Sequence, residues 1–72
     1  MVKHLMALKI LDIGAGDNPH PKATHAIDLN PPSVIGRKGL NYYPIGIDVE
    51  KKRLPYPSNF FDRVVSEKYV KT

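Results

Sequence analysis

Asp12, Asp28 and Asp48 are the residues best suited to chemistry in this sequence. Each stands at or near the end of a short apolar run. The first run continues as Leu11-Asp12-Ile13-Gly14-Ala15-Gly16. The second reads Ala26-Ile27-Asp28-Leu29, and the third Ile45-Gly46-Ile47-Asp48-Val49. A carboxylate followed by Gly-x-Gly is a binding pattern. Glycines let the chain turn tightly and let a ligand approach the main chain closely. Exposed N–H groups in such a turn can hold polar ligand atoms. Ligands of open α/β sheets sit at the carboxyl ends of strands. Three acids at three successive strand ends would therefore line one crevice. Plainer roles stand beside this one. Asp12 could cap the loop by accepting from backbone N–H groups, and Asp28 and Asp48 could be ordinary turn formers.

A Gly-x-Gly-x-x-Gly dinucleotide fingerprint fits poorly. Its third glycine would fall at Pro19. Its acidic residue is expected about 20 residues on, and Asp28 comes much sooner. The histidines His4, His20 and His25 are too scattered for a zinc site, and there is no cysteine. No metal site is expected. His20 and His25 read as surface or loop residues. Tyr42, Tyr43, Tyr56 and Phe60 read as packing residues rather than a stacking platform for bases.

Four short strands must position these side chains. Ala7 to Ile13 is rich in Leu and Ile and stops at Gly14, the pattern of a strand buried on both faces. His25 to Leu29 is the second strand, and Asn30-Pro31-Pro32 ends it. Asn41 to Val49 is expected to give a third strand, around Ile45–Val49, and Phe60 to Ser66 a fourth. Pro19 and Pro21 prevent a good helix in the first connection. A short helix fits Ser33 to Gly39. Ser66 could cap another over residues 67–72, and Val2, Leu5 and Met6 have the spacing of a helical turn. The sequence contains no repeat and no low-complexity segment.

The chain has 72 residues, 42% of them hydrophobic and 25% charged, which suits one small globular domain. A domain this small buries only about 60% of its unfolded surface. Net charge is +4, and Lys51-Lys52-Arg53 is its one cationic run, read as a solvated loop. Nucleic acid is not an expected partner. No apolar stretch approaches the ~18–20 residues that span a membrane. No signal peptide is evident, so the expected location is cytoplasmic.

Leu11-Asp12-Ile13-Gly14-Ala15-Gly16 resembles motif I of the class I S-adenosylmethionine-dependent methyltransferases. Ala26-Ile27-Asp28-Leu29 resembles their second motif. Asp48-Val49-Glu50, with Leu54-Pro55-Tyr56-Pro57-Ser58-Asn59-Phe60-Phe61-Asp62, resembles the third. Val64-Val65-Ser66 is similar to the start of the fourth. These segments stand in family order and cover nearly the whole chain. The resemblance implies S-adenosylmethionine as cofactor and methyl transfer as the activity, and leaves the methyl acceptor open. It implies that Gly14, Ala15 and Gly16 pack against the methionine and ribose part. Asp12 would orient the methionine amino group, often through water. Asp28 would accept from both ribose hydroxyls, and a carboxylate can take two donors at once. Asp48 would accept from the adenine amino group while the Val49 N–H reaches a ring nitrogen. Ser66 would stand near the transfer centre, mainly through its backbone.

The implied fold class is α/β: a Rossmann-like partial parallel sheet, strand order 3-2-1-4, helix-poor, a truncated class I methyltransferase fold. Residues 1–72 would form one cofactor-binding half domain. The family's later strands and acceptor region have no counterpart here. The fourth strand would then present an open edge, and a homo-oligomer through that edge is expected. The alternative function is a non-enzymatic, degenerate version of the fold acting as an oligomeric or partner-binding module.

Overall fold

The structure, a computed structural model, describes residues 8–66. Four strands form one sheet: β1 (Ile10–Ile13), β2 (His25–Ile27), β3 (Asn41–Tyr42) and β4 (Arg63–Val65). All pairs are parallel and the order is β3-β2-β1-β4, as expected. Parallel pairing puts every strand's carboxyl end on one edge of the sheet. Asp12 lies beside Ala26 and Val65, which brings the ends of β1, β2 and β4 level.

The core is small and centres on β1. Ile10, Leu11, Ala15, Ala23, Ala26 and Ile27 are buried, with Leu11 and Ile27 the largest side chains fully enclosed. Strand alternation divides the sheet into two faces. Leu11, Ile13, His25, Ile27 and Val64 share one face. Ile10, Asp12, Ala26, Tyr42 and Arg63 share the other.

Among the described residues there is no helix, and loops cover both faces instead. On the first face His25 is ringed edge-on by Tyr56, Phe60 and Phe61, with centroids 6.1, 5.6 and 5.1 Å away. His25 is thus a half-buried strand residue at the centre of an aromatic cluster, not a surface or loop residue. These rings pack against one another and against His25. On the second face the connection from β1 to β2 folds back without a helix. Arg37 holds it there by donating to the carbonyls of His20 (3.1 Å), Pro21 (2.9 Å) and Ala23. One guanidinium with several fixed donors thus replaces part of a helix's hydrogen bonding. Asp62 supports the entry to β4, its Oδ2 accepting from the Lys9 N–H at 2.8 Å.

Two expectations require correction. Residues 33–39 form bends and a turn, with Gly39 at φ +85°, where a helix was expected. Gly36, Gly39 and the β-branched pair Val34-Ile35 disfavour a helix there. The third strand is Asn41–Tyr42, not Ile45–Val49. The Tyr43 N–H still bonds the Ala26 carbonyl at 2.9 Å. Pro44 follows, lacks an N–H, and cannot continue the ladder. The chain then crosses the end of β2 and reattaches through the Ile47 N–H to the Asp28 carbonyl at 3.1 Å. The expected helices over 67–72 and near Val2–Met6 lie outside the described residues.

Among the described residues β4 has one neighbour, β1, and its Val64 is 50% exposed. No helix among them is long and apolar enough to cross a membrane.

Candidate functional site

The glycine turn follows β1 directly. Gly14 (φ 72°) and Gly16 (φ 61°) both occupy the left-handed region, which side chains with a Cβ rarely adopt. That conformation aims the turn's N–H groups inward. Gly14 and Ala15 donate to the Ile27 carbonyl at 2.9 and 3.3 Å, and Gly16 donates to Asp28 Oδ2 at 2.7 Å. The turn therefore offers its N–H groups to β2 rather than to a ligand, which corrects the first expectation for this motif. The Ala15 side chain is fully buried and belongs to the core.

The three carboxylates have different surroundings. Asp12 is only 2% exposed. Its Oδ2 accepts from the His20 N–H at 2.7 Å, which is the loop-capping role weighed for it. Its Oδ1 is buried with no hydrogen-bond partner. Burial of an unpaired polar atom is costly, and a donor on a ligand or water would relieve it. Asp28 is half-buried and accepts from Gly16 through Oδ2 and from the Asn30 N–H through Oδ1 at 2.9 Å. Each oxygen keeps a second lone pair, so two further donors can be taken. Asp48 accepts from the Glu50 N–H at 3.0 Å through Oδ1 in an Asx turn.

Gly14, Asp28, Asp48 and Val49 converge on one cleft of about 310 Å³ at the carboxyl edge of β1 and β2. Ile13, Ile27 and Ile47 supply its apolar walls, and Glu50 adds a third carboxylate to its lining. Its volume is near the lower end of small-molecule sites, roughly 300–1,000 Å³. Asp12 does not line this cleft, and its side chain is on the opposite face of the sheet from Ile13 and Ile27. Gly16 lines a separate cavity of about 350 Å³ with Asp17, Arg37 and Tyr42. Ser66 is exposed, one residue past the Val65–Asp12 pair, and does not line the cleft.

Two residues that matter here are visible only in three dimensions. Gly46 packs so closely on the end of β2 that a Cβ would lie 2.0 Å from the Leu29 carbonyl oxygen. Its lack of a side chain brings Asp48 and Val49 back to the cleft. Tyr42 donates from its hydroxyl to the Gly16 carbonyl at 2.7 Å, tying β3 to the glycine turn. Burial, aided by the nearby carboxylates Asp28, Asp12 and Asp17, pushes its pKa up to about 12. In the sequence Gly46 is one more glycine in an apolar run, and Tyr42 one of four tyrosines.

Among the described residues no group of histidine, aspartate and glutamate side chains is arranged to hold a metal ion. Comparison with known proteins finds no matching family model, no matching curated protein and no matching solved structure.

Proposed function

We propose that this chain binds S-adenosylmethionine at the carboxyl edge of its sheet, as a Rossmann-type fold of the class I methyltransferase kind. The observation that carries the reading is chemical polarity. The cleft offers carboxylates, while the N–H groups of its glycine turn are already engaged. Such a site suits a ligand rich in donors and bearing positive charge. It suits a pyrophosphate badly, because a phosphate needs free N–H groups or cations. S-adenosylmethionine has ribose hydroxyls, two amino groups and a sulfonium.

The residues fit that ligand in named roles. Asp28 takes the ribose hydroxyls on its remaining lone pairs. Asp48 accepts from the adenine amino group and the Val49 N–H donates to a ring nitrogen. Asp12 lies outside the cleft lining, and its unpartnered Oδ1 receives the methionine ammonium through a bridging water. Gly14 lets the ligand lie close to the chain, and the backbone at Ser66 borders the far side of the edge. The cofactor when bound supplies an activated methyl group. The chain's contribution is to hold and orient it, since methyl transfer depends largely on positioning.

Calorimetry with S-adenosylhomocysteine tests this. Saturable binding that weakens in Asp28→Asn is the expected result. Absence of saturable heat at millimolar ligand overturns the reading.

The exposed Val64 on β4 favours a second reading, in which the fold is a non-enzymatic module that associates through this strand. Two copies would pair about a two-fold axis. That reading expects a melting temperature that rises with protein concentration and no response to the cofactor. A monomer by light scattering at high concentration overturns it.

A further inference from the structure

The aromatic face carries a second candidate site of opposite chemistry. An open groove of about 550 Å³ runs beside β4, lined by Lys52, Arg53, Tyr56, Phe60, Phe61 and Val64 among others. No carboxylate lines it. Outside the groove lining, the Lys9 ammonium lies over the Phe60 ring, 4.7 Å from its centre. The side chains of Lys52 and Arg53 have no hydrogen-bond or ion-pair partner among the described residues. In the sequence the basic run and the aromatic residues are separate features, each with an ordinary explanation. The fold puts them in one groove.

We infer that this groove binds a small organic phosphate carrying a flat ring, of about mononucleotide size. The charges select the phosphate. A guanidinium presents paired donors that match two phosphate oxygens, and an ammonium adds a point charge. The rings select the body. Tyr56 and Phe60 stack at 5.7 Å with Phe61 edge-on to both, which leaves a firm apolar wall beside the cations. Inorganic phosphate would leave that wall uncovered, and a neutral ring would leave the cations unused. The volume falls within the range of small-molecule sites, roughly 300–1,000 Å³. The groove and the carboxylate cleft share one lining residue, Val49, so the two ligand sites are distinct in charge and place.

The test is an NMR titration of the full chain with uridine 5′-monophosphate, uridine alone and inorganic phosphate alone. Uridine lacks the adenine ring assigned to Asp48 and Val49, so the result does not depend on the cofactor reading. The nucleotide is expected to shift the ring signals of Tyr56, Phe60 and Phe61 and the Arg53 side-chain signal saturably. Uridine and phosphate alone are each expected to bind about tenfold or more weakly. Lys52→Gln with Arg53→Gln is expected to cost about tenfold or more, the worth of charge-assisted hydrogen bonds. Both residues are exposed, and unchanged sheet amide signals will show that the variant is folded. Added salt is a second readout, weakening binding to the parent chain far more than to the double variant. The inference is overturned by no saturable shift at millimolar nucleotide, by shifts confined to Gly14, Asp28 and Asp48, or by equal affinity in the double variant.

Discussion

The Asp28 carboxylate accepts a 2.7 Å hydrogen bond from the backbone N–H of Gly16. The two residues sit on successive connections at the carboxyl edge of the sheet, and this bond fixes one against the other. Asp28 therefore has two duties in the proposed site. It shapes the glycine turn from the side of β2, and it presents its remaining lone pairs to the ligand. Removing the carboxylate confounds the two, whereas changing its charge separates them.

Asp28→Ala is expected to lower stability by about 1–3 kcal/mol, because the Gly16 and Asn30 N–H groups lose their acceptor. Asp28→Asn keeps an oxygen that can accept from Gly16 and is expected to recover most of that loss. Both variants should bind S-adenosylhomocysteine more weakly, since neither presents a full carboxylate to two hydroxyls. Urea denaturation and calorimetry on the three proteins measure the two effects. An alanine variant as stable as the parent would show that the bond does not brace the turn.

Gly46 and Gly36 form a matched pair of substitutions. A Cβ at Gly46 would lie 2.0 Å from the Leu29 oxygen and 3.0 Å from its carbonyl carbon, whereas at Gly36 it would meet nothing within 4 Å. Gly46→Ala must push the crossing segment off β2 and carry Asp48 and Val49 with it. We expect a loss of about 1–3 kcal/mol, the usual cost of overpacking, together with loss of binding in the cleft. Gly36→Ala should be neutral or slightly stabilising, by about 0.4–1 kcal/mol through the unfolded chain. Thermal melts compare them, and equal melting temperatures would rule out the close approach.

The sheet was legible because β1 and β2 are short apolar runs stopped by Gly14 and by Asn30-Pro31-Pro32. Their parallel order followed from the family resemblance, and the observed sheet has that order. The third strand was misplaced because Ile45–Val49 has the better strand composition. Pro44 and the contact at Gly46 overrule it, and Asn41–Tyr42 pairs instead. Propensity describes a segment alone, while pairing depends on which N–H groups meet a neighbour. The same limit applies to the site. Asp28 and Asp48 stand out from their positions at strand ends, whereas Val49 enters only through the family resemblance; with Gly14 they line one cleft, which Asp12, Ala15, Gly16 and Ser66 do not. Nothing in the sequence tells that the turn's N–H groups point inward, or that Tyr42 reaches Gly16. The single-residue readings of Lys52 and Tyr56 likewise omit their shared groove.

Tyr42→Phe removes the bond to the Gly16 carbonyl while keeping the ring. The expected cost near neutral pH is about 0.5–1.5 kcal/mol. Its pH dependence is more specific. The native hydroxyl is pushed up to about 12, mainly by burial, against an ordinary value of 10.0. Above the ordinary value the unfolded chain loses this proton and the folded chain keeps it. Stability from Tyr42 is therefore full below 10.0 and falls as pH rises through the window to about 12. Phenylalanine should flatten that part of the alkaline limb. Melting curves across the window check it, and parallel limbs in the two proteins would refute it.

His25 supplies the acid counterpart. Its ring is packed by Tyr56, Phe60 and Phe61, touches Thr24 Oγ1 at 2.8 Å through Nδ1, and lies near the Lys9 ammonium. Burial, with help from Lys9, lowers its pKa below the ordinary 6.5. The folded chain therefore resists taking a proton that the unfolded chain accepts. By linkage, the stabilising contribution of neutral His25 is full above 6.5 and is lost as pH falls from there through the lowered native value. Most carboxylates titrate nearer pH 4, so the first decline below neutrality should carry the His25 signature. His25→Phe keeps an aromatic ring in the cluster and has no proton to gain. Melting temperatures should then diverge, with the parent falling through mildly acid pH and the variant holding level. If both fall together, the acid sensitivity lies elsewhere and the aromatic cluster does not control His25.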